Sequence, residues 1–402
     1  MFGEDFIVSN QVEIAENKTI LWLSASHLVC DIYGGFLNPI MPFIAVKLGF
    51  TMAIATILMS VAQICSNMLQ PIFGFFADNM RKRFFVFWGL IFASVFIPLA
   101  VTAPNLWILT IFMILGCLGG SFFHPQSMGF VNKFSDNNCS NNMGFFVSMG
   151  SLGFAFGPLL AAYITQFVGL DKISYTSIIG IFLALLMFKF VPKLSVISPK
   201  PEHKEFVKSF KEIFANRQMD LLLLVAMMKS LITSCSCVLL PFLWKGLGYS
   251  PFYIGFALFL FIFAGSIGSF VSPRLEKMIG TKFVIYFSMC ATLPMMIVFS
   301  FTYRTCPIVS LCVFTIIGFT TMLAQPVVLV LAQKILPKYK SIVSGFVNGF
   351  CWGLVALILS FMGSIAQKYG IMNVLLVLSF IPAVSSYYVK YLQTEFYKEK
   401  KI

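Results

Sequence analysis

Four ionisable side chains fall where long apolar runs should exclude them. The stretch SASHLVCDIYGGFLNPIMP, residues 24–42, lies inside a hydrophobic segment long enough to cross a bilayer, yet it contains His27 and Asp31. Residues four apart on a helix share one face, one turn from each other. A carboxylate at mid-membrane costs a few kcal/mol or more unless it has a partner or a watery cavity. The chemistry such a pair can perform is reversible proton binding, with His27 either sharing the proton or only orienting Asp31. A third candidate, His124, lies in the run GGSFFHPQSMGF that ends a later span, where a structural cap at the Pro125 bend is the competing reading. Lys229 sits about ten residues into a later apolar run. It is suited to bind an anionic group or to pair with Asp31, or else it snorkels toward a polar interior.

The elements that must position these groups are set by composition. The 402 residues are 59% hydrophobic and 11% charged, against about half and about a quarter in soluble domains. Mean hydropathy is +0.90. Apolar runs of roughly 20 residues indicate spanning helices rather than a barrel. The spans are expected at 20–48, 51–77, 83–103, 105–132, 142–168, 172–192, 219–246, 251–272, 282–302, 306–333, 341–367 and 371–393. Glu4, Asp5, Glu13 and Glu16 make the N-terminus acidic, unlike a cleavable signal peptide, so the first helix is expected to be retained.

The net charge of +13 does not mark a nucleic-acid binder. With a cytoplasmic N-terminus and twelve helices, 22 of the 28 Lys and Arg fall in cytoplasmic segments. Lys47, Lys172, Lys245, Arg304 and Lys368 fall outside, and Lys229 within a helix. This is the positive-inside bias, and it places both termini in the cytoplasm. The ten cysteines show no CxxC pattern, so neither disulfides nor a thiol-rich metal site is expected.

Sliding the second half over the first by 199 pairs Pro42-Phe43 with Pro241-Phe242 and Gly49-Phe50 with Gly248-Tyr249. A shift of 201 pairs Pro125 with Pro326, Gly144 with Gly345 and Gly169 with Gly370. Two homologous six-helix bundles, 1–192 and 219–402, are the simplest account. Residues 193–218 form a charged cytoplasmic linker, a plain connection or one whose Glu205–Ile213 segment lies as an amphipathic helix on the membrane surface. The fold class is therefore an all-α membrane protein, twelve helices in two pseudo-symmetric bundles.

Two further motifs concern conformational change. GFFADNMRKRF places Gly74, Asp78, Arg81 and Arg83 between the second and third spans, with a counterpart in GSFVSPRLEKMIGTKF, residues 268–283. The fifth span carries GSLGFAFGPLLAA, in which Gly150, Gly153, Gly157 and Pro158 give a smooth face that another helix can approach. Polar residues suited to line a cavity are Tyr33, Gln63, Asn67 and Gln70 in the first half, and Gln325, Asn348 and Trp352 in the second.

The loop motif resembles that of the major facilitator superfamily, and Gly153–Pro158 resembles its fifth-helix antiporter motif. With ASHLVCDIYGG, LQPIFGFFAD, the FHP run and QPVVLVLAQKILPKYKSIVSGFVNGF, nearly the whole chain is similar to the fosmidomycin-resistance family within it. The resemblance implies a central cavity between two rocking halves and export of a small molecule against inward proton flow. Departures are Asn79 and Arg81 in the loop motif, Gln126 where the family often has an acid after FHP, and no Arg between Arg83 and Arg217.

These readings lead to one expectation: a secondary transporter in the inner membrane of a bacterium, a proton-coupled exporter of a small organic solute, with an anionic one suiting Lys229. Uptake symport on the same fold is the alternative. The expected partners are substrate, protons and the bilayer, with the chain a monomer. No clustered catalytic set and no P-loop points to an enzyme or ATPase, so no cofactor or metal is expected. Transition-metal transport, resting on His27, Asp31 and His124, is the remaining rival.

Overall fold

The computed structural model describes residues 2–79, 84–135, 139–191 and 203–394. Among the described residues there are helices and no strands. They run α1 (Phe2–Gly35), α2 (Leu37–Leu48), α3 (Met52–Gln63), α4 (Gln70–Asn79), α5 (Phe84–Val101), α6 (Leu106–Lys133), α7 (Cys139–Tyr163), α8 (Ser177–Phe190) and α9 (His203–Ala215). They continue as α10 (Arg217–Gly246), α11 (Pro251–Ile279), α12 (Thr281–Cys290), α13 (Thr292–Thr302), α14 (Pro307–Leu323), α15 (Gln325–Ile335), α16 (Lys340–Gly345), α17 (Cys351–Tyr369) and α18 (Ile371–Ser385).

Eleven helical stretches among the described residues are long and apolar enough to cross a membrane. One of them, Asn141–Phe190, has 50 residues. At 1.5 Å per residue it would measure about 75 Å, more than twice a hydrocarbon core of about 30 Å. It is broken at Gly169, whose φ of +114° begins the 3-10 turn Leu170–Thr176. The stretch therefore makes two crossings, and twelve result.

Two of the three glycine pairs of the internal repeat turn out to be chain-reversal positions, while Gly144 and Gly345 lie within helices. Gly49 and Gly248 take φ of +71° and +84°, and Gly169 and Gly370 take +114° and +90°. Such backbone angles strain any residue with a Cβ. The helices that follow the first pair are capped alike: Thr51 Oγ1 accepts from the N–H of Ile54, and Ser250 Oγ from that of Tyr253. The repeat is thus a repeat of turn geometry as well as of letters.

Contacts divide the chain into two compact units. One comprises residues 1–37 and 69–200, the other 38–68 and 201–402. The chain leaves the first unit just after the bend at Phe36 and returns to it just after a π-helical segment, Ile64–Met68. In the second unit α3 packs along α17, with Gly363 against Thr56 and Gly353 against Met68. A second π segment, Phe346–Phe350, interrupts the eleventh span, and its Gly349 approaches the Asn67 carbonyl.

Residues 193–202 of the expected linker lie outside the described residues, and the remainder forms α9. Part of its apolar face is covered by protein. Ile213 is fully buried, Phe210 packs on Phe346 with ring centroids 4.6 Å apart, and Glu212 accepts a bond from the Tyr339 hydroxyl. The three-to-four residue spacing of these apolar positions is the same for a surface helix and a docked one, which is why sequence did not separate the two.

Candidate functional site

Within the first unit, α1 carries His27 and Asp31 one turn apart, and α7 lies along it. The close approach comes from small residues: an added Cβ at Gly153 would strike the Leu28 carbonyl, and one at Gly157 the Ile32 carbonyl. Spacings of three and four put Gly150, Gly153 and Gly157 on one helical face. From α1, Gly35 meets the same seam, where an added Cβ would lie 2.7 Å from Pro158 Cδ. Gly150 has a further role, because a Cβ there would overlap the His27 imidazole itself. The glycine run therefore makes the slot that holds His27.

In that slot His27 is fixed on both sides of its ring. Nδ1 lies 2.8 Å from the Phe146 carbonyl oxygen of α7, and Nε2 lies 3.2 Å from Asp31 Oδ2. The Phe146 ring stacks on the imidazole at 4.1 Å. Helix α6, which runs on through Pro125, brings His124 to the other carboxylate oxygen, with Nε2 3.4 Å from Asp31 Oδ1. Asp31 is thus clasped by two imidazoles whose rings are 5.1 Å apart and nearly perpendicular. The His27 side chain is 6% exposed and that of Asp31 19%, so the carboxylate is the more accessible end of the cluster.

A carbonyl oxygen can only accept, so His27 Nδ1 carries a proton and donates it to Phe146. Nε2 then either bears a second proton, making an imidazolium, or presents a lone pair to Asp31. Its contact with Oδ2 is favourable if a proton lies between them, on the imidazole or on the carboxyl. The arrangement can accommodate a proton between His27 Nε2 and Asp31 Oδ2. Donor atoms of His27, Asp31 and His124 lie within 4.8 Å of one another, which also falls in the range for a transition-metal ion. The two imidazoles address different oxygens of one carboxylate, which suits a hydrogen bond at each oxygen better than one ion at their centre.

Gln126, where an acid was expected from the resemblance, is a structural acceptor. Its Oε1 takes the N–H of Val86, 2.9 Å away in the first turn of α5, where helical donors lack partners. Tyr33 lies inside the unit, 2% exposed, and its hydroxyl donates to the Thr176 carbonyl at 2.6 Å. Gly74 packs against Pro125, and Asp78 lies in the last turn of α4. Arg81 and Arg83 lie outside the described residues.

The second unit gathers the other polar residues in two places. Ser234 on α10 donates to Gln63 Oε1 at 2.8 Å, and Asn67 donates back to the Gln63 carbonyl at 3.1 Å. Gln325 at the start of α15 donates to Asn348 Oδ1 at 2.7 Å, and half-buried Trp352 stands one turn beyond Asn348. Gln70 opens α4 in the first unit. Lys229 is 2% exposed, and its Nζ has no hydrogen-bond partner. In the first unit Asp31 is engaged by the two histidines.

Sequence reasoning missed the Phe146 carbonyl, since a backbone acceptor leaves no residue-type signal. It grouped His124 with His27 and Asp31 by chemistry, as proton carriers or metal ligands, without a geometry that brings them together. The only hint of their meeting was that all three interrupt apolar runs.

The family profile of the Major Facilitator Superfamily matches residues 23–360. The fosmidomycin resistance protein of Escherichia coli (strain K12) is 26% identical over 375 residues, covering 90% of this chain and 89% of that protein. An uncharacterized MFS-type transporter of Bacillus subtilis (strain 168) is 20% identical over 375 residues, covering 91% and 90%. Among solved structures, a bacterial homolog of the human lysosomal transporter Spinster, inward-facing and occupied, superposes with a TM-score of 0.73 at 12% identity, covering 95% of this chain and 98% of that one. The peptide transporter POT in complex with alafosfalin gives 0.71 at 15% identity, covering 94% and 96%.

Proposed function

The chain belongs to the Major Facilitator Superfamily, and on that footing we propose that it is a proton-coupled exporter of a small organic solute, working by alternating access. That it is a multi-pass membrane transporter and not an enzyme follows from the family and the fold. Export is supported by the resemblance to the fosmidomycin resistance protein. Placement in a bacterial inner membrane with both termini cytoplasmic is supported by the distribution of Lys and Arg.

Proton coupling rests on one observation: His27 Nδ1 is committed to the Phe146 carbonyl while Nε2 faces Asp31 Oδ2. With the first ring proton fixed, the proton between Nε2 and Oδ2 is the one that can come and go. When it leaves, an acceptor faces a carboxylate and the contact turns unfavourable. Asp31 is then held chiefly by His124. Proton binding and release thus switch the contact that ties Asp31 to the α1–α7 slot, a differential interaction that can bias two conformations. In the proposed cycle, a proton from outside accompanies substrate release, and its loss to the cytoplasm readies the site for the next substrate. Lys229 offers a positive group for an anionic solute, because no protein acceptor occupies its Nζ.

Flux in proteoliposomes with an imposed pH gradient tests the reading, comparing the parent with Asp31→Asn. The parent should move substrate against the proton flow, and the variant should lose its dependence on the gradient. Unchanged pH dependence in Asp31→Asn would remove the coupling claim. Movement of substrate with the protons would show an uptake symporter.

A further inference from the structure

Away from the His27–Asp31–His124 cluster, the second unit has a cleft of about 440 Å3 where the start of α12 meets the turn that follows α18. Its walls are Phe283, Tyr286, Tyr387 and Val389, and its rim carries Lys282 and Lys390. Among the described residues no carboxylate lines it. The neighbouring Glu276 is engaged by the Thr281 hydroxyl at 2.7 Å.

Both lysines are held at the rim rather than extended into solvent. Lys282 Nζ donates to the Lys390 carbonyl at 3.0 Å, and Lys390 Nζ sits 3.4 Å from the centre of the Tyr387 ring and 4.8 Å from that of Tyr391. Each ammonium has three donors and these contacts leave some free. The aromatic walls face outward, with Phe283, Tyr286 and Tyr387 each at least half exposed. One turn further into the spans, Phe287 and Val384 are exposed as well. Two cations over an aromatic cleft that opens onto exposed apolar surface, at the ends of membrane-crossing helices, match an anionic headgroup with acyl chains below it.

We propose that the cleft bounded by Lys282, Tyr286, Tyr387 and Lys390 binds one anionic glycerophospholipid, its phosphate between the two lysines and its chains along α12 and α18. The lysines supply the selectivity for a net negative headgroup, and the aromatic walls supply the apolar contact. A zwitterionic lipid brings a choline or ethanolamine cation to the same rim and is disfavoured.

Native mass spectrometry of the delipidated full-length protein tests this, with phosphatidylglycerol, phosphatidylcholine of the same chains, and inorganic phosphate as probes. The parent should retain phosphatidylglycerol over phosphatidylcholine. The double variant Lys282→Gln/Lys390→Gln should bind phosphatidylglycerol about tenfold more weakly, with phosphatidylcholine unchanged. Lys282→Arg/Lys390→Arg should restore the preference. Equal retention of the two lipids by the parent would overturn the proposal, a result that needs no variant. So would parent-like phosphatidylglycerol binding by the double variant. Displacement of phosphatidylglycerol by millimolar phosphate would show a bare anion site in place of a lipid site.

Discussion

A single methyl group at position 150 is the sharpest probe of the slot proposed to bind the proton. The Cβ of Gly150→Ala would overlap the His27 ring, which has two ways out. Either α7 moves, against the Gly153 and Gly157 contacts with α1, or the ring swings. Swinging gives up the bond to the Phe146 carbonyl, worth about 1 kcal/mol, and the charge-assisted contact with Asp31, worth about 1.5–3 kcal/mol. Losing the second removes a favourable contact of the bound proton, so coupled transport should lose much of its dependence on the pH gradient. In a His27→Ala background the ring is gone, and the same methyl meets none of it. Gly150→Ala and His27→Ala should therefore be strongly non-additive in a double-mutant cycle read by pH-dependent flux in proteoliposomes. Gly153→Ala is the comparison. Its methyl meets the Leu28 backbone, which cannot rotate away, so it should lower thermal stability by about 1–3 kcal/mol and combine nearly additively with His27→Ala. A parent-like pH profile for Gly150→Ala, or additivity with His27→Ala, would refute the assignment of the glycine to the slot.

Other outcomes follow from the remaining geometry. Lys229→Met replaces a buried, unpartnered amine with an apolar chain of similar length, so thermal stability should rise by about 1 kcal/mol or more while binding of an anionic solute is lost. A melting curve that falls would show that Lys229 has a stabilising partner. Tyr33→Phe removes the bond to the Thr176 carbonyl and should cost about 1 kcal/mol of stability with substrate affinity unchanged; a weaker Kd would put Tyr33 in the substrate path. Phe210→Ala should free α9 from Phe346 and speed proteolysis between α9 and α10, measured by limited digestion; unchanged digestion would mean that the docking does not depend on this ring.

The crossings and the turns were legible in the sequence because both rest on local signals. Apolar length marks a span, and Gly49, Gly169, Gly248 and Gly370 mark backbone angles that other residues avoid. His27 and Asp31 were legible as a pair because four residues make one helical turn. Their third member was not, since His124 arrives from a helix 93 residues further along the chain than Asp31, by packing that no spacing encodes. The polar residues proposed for a cavity could be recognised as polar but not assigned partners: Gln63 is taken up by Ser234, Gln325 by Asn348, and Tyr33 by a carbonyl. Gln126 shows the limit from the other side. Its departure from the family's acid suggested a lost functional group, and the structure gives it the Val86 N–H to satisfy.

The partner that fixes the His27 ring is a backbone oxygen, and this decides what genetics can detect. No substitution at position 146 other than a backbone-altering one deletes that acceptor, so a side-chain scan would register there only the loss of a stacked ring. The bond becomes visible indirectly, at Gly150 and His27, where a methyl too many or an imidazole too few disturbs it. A mutational map of the transporter would thus show sensitivity at His27, Gly150 and Phe146, and at Phe146 it would report the buried stacked ring and not the carbonyl that holds the imidazole.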